Sequence, residues 1–295
     1  MPANLKEVRN RIQSVKSTQQ ITKAMKMVSA AKLKRASDAI IQMRPYTEKL
    51  QEILSNIVST MEEEVSLDFS KERDPEKVLL VLVTSDKGLC GGFNSNNIKK
   101  AKGLIENEYA DQFAKGNVQL MFIGKKGFDY FKKNNIKGDT TYIDLFKNLN
   151  FNETSVIAEF IMEKFLDGTY DRIEVIYGKF LNAATQDFVV ERFLPVPTIE
   201  TGDNYSKTKV DYLFEPSKEE IIEELVPKIL KTQLYKAVLD SNASEHGARM
   251  TAMDKATENA KELVRQLNID YNRARQAAIT TELSEIVGGA EALKQ

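Results

Sequence analysis

Apolar residues near the start of the chain recur every three or four positions: Leu5, Val8, Ile12 and Val15, with the seam continuing through Gln19 and Thr22 to Met25 and Val28. This alternation of threes and fours is the rhythm of a coiled coil with polar interruptions, and it requires a partner helix. No glycine occurs before Gly88 and no proline between Pro2 and Pro45, so nothing interrupts a helix there. Pro45 is predicted to kink the helix rather than end it, because apolar spacing resumes at Leu50, Ile53, Leu54, Ile57 and Val58. The acidic run Glu62, Glu63, Glu64 closes the segment.

From Lys77 the pattern changes. The run KVLLVLVTSD is continuously apolar and rich in β-branched residues, and the turn-forming KGLCGG follows it, as expected of a strand buried on both faces. A helical stretch near Asn97 to Phe113, then VQLMFIG, GFDYFKKN, a strand around Thr140 to Ile143, a helix near Glu153 to Leu166 and the paired strands RIEVIYGKF and DFVVERFLP continue the alternation. Strand and helix in turn predict an open, Rossmann-like α/β domain with a mainly parallel sheet. The polar stretch TGDNYSKTK reads as a loop.

A second long helix is predicted after YLFEP, opening with Ser217 and Glu220 at capping-box spacing. Beyond Pro227 it meets no proline, and Gly247 is its only glycine before Gly288. About sixty residues at 1.5 Å each give a helix of roughly 90 Å. Its middle is rich in small residues, with Ala248, Ala252, Ala256 and Ala260 at four-residue spacing, which lets another helix approach closely. The fold class predicted is α/β with long helices: an antiparallel coiled coil of N- and C-terminal helices carrying an inserted α/β domain. The boundaries are 1–60 for the first helix, 76–197 for the domain and 217–288 for the second helix. Such long helices expose surface that no core within the chain covers, so partners are expected to surround them.

Charge adds a direction to that expectation. Residues 1–35 hold nine basic side chains and one acid, a net +8, which leaves −9 for the remainder of a chain whose formal total is −1. A basic helix on an otherwise acidic protein predicts an acidic partner surface. Nucleic acid is disfavoured, because the basic segment has no aromatic residue to stack on bases and the sequence pI is near 6.1. No apolar run reaches the ~20 residues needed to cross a bilayer, and MPANLKEVRNR has neither a signal-peptide apolar region nor a transit-peptide bias, so the protein is expected to stay where it is made. One cysteine, Cys90, excludes an internal disulfide.

Candidate chemistry is sparse. SDKGLCGGFNSN lies between strand and helix, where a phosphate-binding loop would sit, yet it matches neither G-x-x-x-x-G-K-[ST] nor G-x-G-x-x-G. Gly88, Gly91 and Gly92 read instead as glycines for a tight turn. Cys90 has no histidine near it in sequence and reads as a buried structural thiol. His246 reads as a surface histidine on the helix, and Asp240, Glu245 and Asp254 as solvated carboxylates or partners of the basic first helix. Met25, Met27 and Val28 read as seam or partner surface. No catalytic residue, cofactor site or metal site is predicted.

Three blocks carry a resemblance: RIQSVKSTQQITKAMKMVSAAKLKRA from Arg11 to Ala36, SDKGLCGGFN from Ser85 to Asn94, and ASEHGARMTAMDKATENA running on through NRARQAAITTELSEIVGGAEAL. Over essentially its whole length the chain resembles the gamma subunits of F-type ATP synthases. The resemblance implies a non-catalytic rotor subunit that couples proton flow to ATP synthesis on other subunits. Its two helices would form an axle inside a ring of alternating α and catalytic β subunits, and its α/β domain would lie near the epsilon subunit and the membrane c-ring. The family's contacts, carried over, would set Met25 and Lys26 against an acidic loop of β. Arg275, Gln276, Thr280 and Glu282 would meet a loop gripping the axle higher up. A lone Cys90 is unlike the chloroplast branch with its added cysteine pair, and the missing targeting peptide is unlike mitochondrial forms. Both imply a bacterial protein, peripheral at the cytoplasmic face of the cell membrane. Gly247 departs from many relatives, in which alanine is common, at roughly 1 kcal/mol of local helix stability.

Overall fold

The computed structural model describes residues 5–59, 68–196 and 218–292. Helix α1 spans Leu5–Ser59 and runs through Pro45 without ending there. A short 3₁₀ turn, Asp68–Ser70, leads to β1, Val78–Val83. Next come α2 (Phe93–Gly103), a π-helical turn over Leu104–Glu108, α3 (Ala110–Ala114), β2 (Val118–Ile123) and α4 (Lys125–Lys133). A second 3₁₀ turn precedes α5 (Phe151–Leu166), and then β3 (Arg172–Phe180), β4 (Gln186–Leu194) and α6 (Lys218–Ala292) complete the chain. The expected capping pair beginning at Ser217 and the loop over 201–209 fall outside the described residues.

The four strands form one sheet in the order β2-β1-β3-β4. β1 pairs in parallel with both β2 and β3, and β4 joins the edge of β3 antiparallel as a hairpin. All six β1 residues are buried, because helices cover both faces of the sheet. On one face Leu79, Val81, Val83, Met121, Ile123 and Val175 pack against Ile157, Ile161 and Phe165 of α5 and against Leu230, Leu234 and Val238 of α6. On the other, Val78, Leu80, Leu82, Leu120, Phe122 and Ile176 meet Ile98 and Ala101 of α2 and Phe131 of α4.

The expected strand over Thr140–Ile143 does not form. One bridge is made, with Phe122 donating its N–H to the Asp139 carbonyl at 2.9 Å and Asp139 donating to Leu120 at 2.7 Å. The Asp139 carboxylate then accepts from the Thr141 N–H at 2.9 Å and from the Thr141 hydroxyl at 2.6 Å, which curls the chain away from the sheet. Gly138 permits the bridge: a Cβ there would lie 2.5 Å from the Leu120 carbonyl oxygen.

Two compact units divide the molecule. One combines Met1–Ser29 with Met250–Gln295, and the other is Ala30–Arg249. The sheet and both its cores belong to the second.

Candidate partner-facing surface

In the unit formed by 1–29 and 250–295, Val8, Ile12 and Leu267 form a small apolar core flanked by Val15 and Tyr271. Farther along, the Thr257 hydroxyl donates to that of Thr22 at 2.8 Å, and Lys26 Nζ lies 2.5 Å from Asp254 Oδ1. Residue numbers rise on α1 as they fall on α6, so the two segments run antiparallel. Toward its end the seam departs from the predicted one: Val28 is 58% exposed, and Ser29 takes the inward position at 3%. A strict seven-residue step from Thr22 lands on Ser29, so the heptad keeps its register with a small polar residue. Val28, Met27 and Ile21 stand outward.

Of the residues carried over from the family, Met25 and Lys26 are half-buried here, and Lys26 already holds an internal acid, Asp254. Arg275, Gln276, Thr280 and Glu282 are exposed. Extended along the antiparallel register, Leu5 falls near the level of residue ~274, so the last turns of α6 have no α1 opposite them among the described residues. Four large apolar side chains stand free there: Ile279, Leu283, Ile286 and Val287, up to 67% exposed. Spacings of four, three and one gather them into one helical stripe. By the same period Arg275 and Glu282 lie along one edge of that stripe, and Gln276 and Thr280 along the other. A stripe of this kind is left for another molecule to cover.

In the unit Ala30–Arg249, buried charge collects where α6 meets the loop after β1. His246 is 9% exposed, which corrects the surface position read from the sequence; Glu245 and Asp240 are buried too, rather than solvated. At Gly247 a Cβ would sit 3.1 Å from the Ala183 carbonyl oxygen, so the β3–β4 turn lies directly on the helix and seals this stretch of α6. Glu245 and Arg249 pair one turn apart, and Arg249 Nη2 donates to the carbonyls of Lys87 and Gly88 at 2.9 and 3.2 Å. The loop reaches Arg249 through a left-handed residue at Leu89 (φ 64°) and another at Gly91 (φ 57°). Cys90 is buried, as read from the sequence, and accepts from Asn94 Nδ2 at 3.1 Å.

Electrostatics here is structural. Burial, then the cations Arg249 and Lys32, pushes His246 down to about 4, so it is a neutral imidazole at pH 7. Burial holds the Glu245 carboxyl above the usual carboxylate range against the pull of Arg249. The glycine loop presents carbonyl oxygens to a guanidinium, whereas a phosphate cradle would present N–H groups. Among the described residues, no cluster of three or more His, Cys, Asp or Glu is placed to hold a metal ion, and no helix is long and apolar enough to cross a membrane. Sequence reasoning missed the Glu245–Arg249 pairing with the loop, because its halves are 161 and 162 residues apart and only the four-residue Glu–Arg step was visible.

A family model described as ATP synthase matches residues 4–293. The chain is 55% identical over 294 residues to the ATP synthase gamma chain of Cytophaga hutchinsonii, covering 99% of both. It is 56% identical over 291 residues to that of Flavobacterium johnsoniae, again covering 99% of each chain. Among solved structures, the central stalk and c-ring assembly of Tetrahymena thermophila mitochondrial ATP synthase contains a chain 27% identical, with TM-score 0.58, covering 80% of this chain and 99% of that one. The rotor of Euglena gracilis mitochondrial ATP synthase matches at 21% identity and TM-score 0.62, covering 93% and 98%, and shares the fold.

Proposed function

The chain belongs to the family of ATP synthase gamma chains, and from that premise we propose how its surfaces are used. It is the non-catalytic central-stalk subunit of an F-type ATP synthase, part of the rotor. On our reading its long helices face the α and catalytic β subunits of a surrounding ring, and its α/β domain faces the epsilon subunit and the c-ring. The complex holds it at the cytoplasmic side of a bacterial membrane. Met25 and Lys26 meet an acidic loop of β, and Arg275, Gln276, Thr280 and Glu282 meet a second loop nearer the end of α6.

One observation carries this reading: the uncovered stripe of Ile279, Leu283, Ile286 and Val287, edged by those four polar residues. An apolar strip with a fixed polar border suits a surface that slides past successive partners: apolar contact is non-directional, while the border makes each angular position distinct. Arg275 brings a rigid fork of donors for a carboxylate or carbonyl, and Gln276 a neutral donor and acceptor. Each catalytic subunit then meets a different side of the helices, and the difference in contact free energy shifts its nucleotide-site populations as the rotor turns. The chemistry stays on β.

The double variant Arg275→Ala, Gln276→Ala tests it. Both residues are exposed, so the variant chain is expected to keep its stability within ~0.5 kcal/mol and to assemble at wild-type subunit content. Torque in ATP-driven rotation, or the rate of ATP synthesis by the reconstituted complex, is expected to fall. Equal torque and equal synthesis would remove these residues from the coupling surface.

A further inference from the structure

Within Ala30–Arg249, α1, the end of β3 and α6 enclose a cavity of about 490 Å³, within the size range of small-molecule sites. Ile40, Ile41 and Met43 form one wall, and Phe180 and Leu181 contribute to another. Ile41 and Leu181 are large apolar side chains left mostly open to solvent. Three cations also line the cavity: Arg44 from α1, Lys179 from β3 and Lys236 from α6, all exposed. None of the three forms an ion pair with a described acid. The lining's one carboxylate is Asp240, itself buried. The lining therefore combines apolar walls with three cations against a single acid, an arrangement unused by the coupling surface described above.

We propose that this cavity is a binding site for a small amphiphilic anion, an alkyl or aryl chain with one anionic head. The chain lies against Ile40, Ile41, Met43, Phe180 and Leu181, and the head lies among Arg44, Lys179 and Lys236. The apolar walls favour the chain by removing its surface from water. These cations, without an ion pair among the described residues, favour an anion over a neutral or cationic head, and being exposed they admit it without complete desolvation. Asp240 sets a further condition, because two anions in one cavity repel. Burial pushes Asp240 up to about 6, while Lys236, Lys179 and Arg44 pull it down and Glu191 of β4 opposes them; its field also reaches Tyr177 of β3. Arrival of an anion makes the protonated form of Asp240 more favourable still, so binding takes up a proton and strengthens as pH falls.

Isothermal titration of the full chain with octanesulfonate, whose head stays ionised throughout, tests this at pH 7.5 and 5.5. Expected is one saturable site, roughly tenfold tighter at the lower pH, with octanol and octyltrimethylammonium at least tenfold weaker. The variant Lys179→Gln, Lys236→Gln should weaken binding at least tenfold while keeping the wild-type circular dichroism. Asp240→Asn should bind more tightly at pH 7.5 and lose the pH dependence. Absence of saturable sulfonate binding, equal binding of the alkylammonium, or unchanged affinity in the lysine variant would overturn the assignment.

Discussion

Replacing Asp240 by Asn should stabilise the protein at neutral pH, by an amount that can be worked from the structure. Asp240 is 6% exposed, and burial pushes its pKa up to about 6 from the ordinary 3.8. The folded state therefore holds a proton that the unfolded chain releases between those two values. As pH rises through that window the native state loses ground, and above about 6 the penalty is complete. A difference of about two pKa units corresponds to roughly 3 kcal/mol, a figure already net of the attraction of Lys236, Lys179 and Arg44 and an upper bound because water relaxing around the folded carboxylate lowers it. The expected outcome is that Asp240→Asn raises the unfolding free energy by about 1–3 kcal/mol at pH 7.5 and by almost nothing at pH 4. Urea titration read by tyrosine emission is a suitable assay: the chain has no tryptophan, and most described tyrosines, among them Tyr109, Tyr170, Tyr177 and Tyr235, lie in the unit that contains Asp240. A variant equal to wild type at pH 7.5, or one whose advantage is as large at pH 4, would refute the burial argument.

Arg249→Ala leaves Glu245 buried without its cation and frees two loop carbonyls, so it should cost about 3–5 kcal/mol in the same titration; adding Glu245→Gln should recover part of that. Gly138→Ala should destabilise by about 1–3 kcal/mol because its Cβ meets a backbone oxygen, whereas Gly88→Ala, with nothing near its Cβ, should stay within ~0.5 kcal/mol by thermal melting. Lys26→Glu sets two acids together at Asp254 and, in the complex, sets the new acid against the acidic loop proposed on β. Chain stability should fall by no more than about 1 kcal/mol, since both partners are only half-buried, while ATP-driven pumping should fall most at low ionic strength. Wild-type pumping at low salt would separate Lys26 from that loop.

What the sequence revealed of the fold follows from the range of each interaction. The run from Val78 to Val83 announced a strand because burial on both faces demands an unbroken apolar sequence, and the long helices announced themselves through seams free of glycine and proline. The failures have different causes. Thr140–Ile143 has strand-forming side chains, but the Asp139 carboxylate captures Thr141 first, a local hydrogen bond that propensity does not register. Val28 is the apolar residue the seam seemed to want, yet the heptad holds its register through Ser29. His246 was misread as surface because its neighbours, Lys32 and Arg35 on α1 and Asp86 and Lys87 in the loop after β1, come from far along the chain. Asp254, by contrast, reads from the sequence as solvated or as a partner of the basic first helix, and it pairs with Lys26 of that helix, 228 residues away.

Helix α6 meets two different demands, and its composition divides accordingly. From Ala237 to Arg249 every residue but Asn242 is buried, so this stretch is held on all sides. Leu234 and Val238 pack toward the sheet, Ala248 packs with Cys90, Phe93 and Phe188, Gly247 lies under the Ala183 backbone, and Arg249 is bonded to the loop carbonyls. Turning the helix about its axis there would drag each of these contacts out of register, and a close-packed interior resists such displacement strongly. Of the four alanines read as a helix–helix face, Ala248 is the one that serves this closure, while Ala260 is buried in the other unit, where Thr257 and Asp254 of α6 bond to Thr22 and Lys26 of α1. Past Ile279 the same helix has no described residue covered at all. On the proposed reading a rotor subunit needs this division: α6 must be unable to slip within its own α/β unit, yet must present a surface that its surroundings can release and grip again. Locking therefore rests on interdigitated packing and charge-assisted bonds, while on the proposed reading the coupling end would rely on an apolar stripe with a polar edge, whose contacts are individually weak enough to exchange at every step.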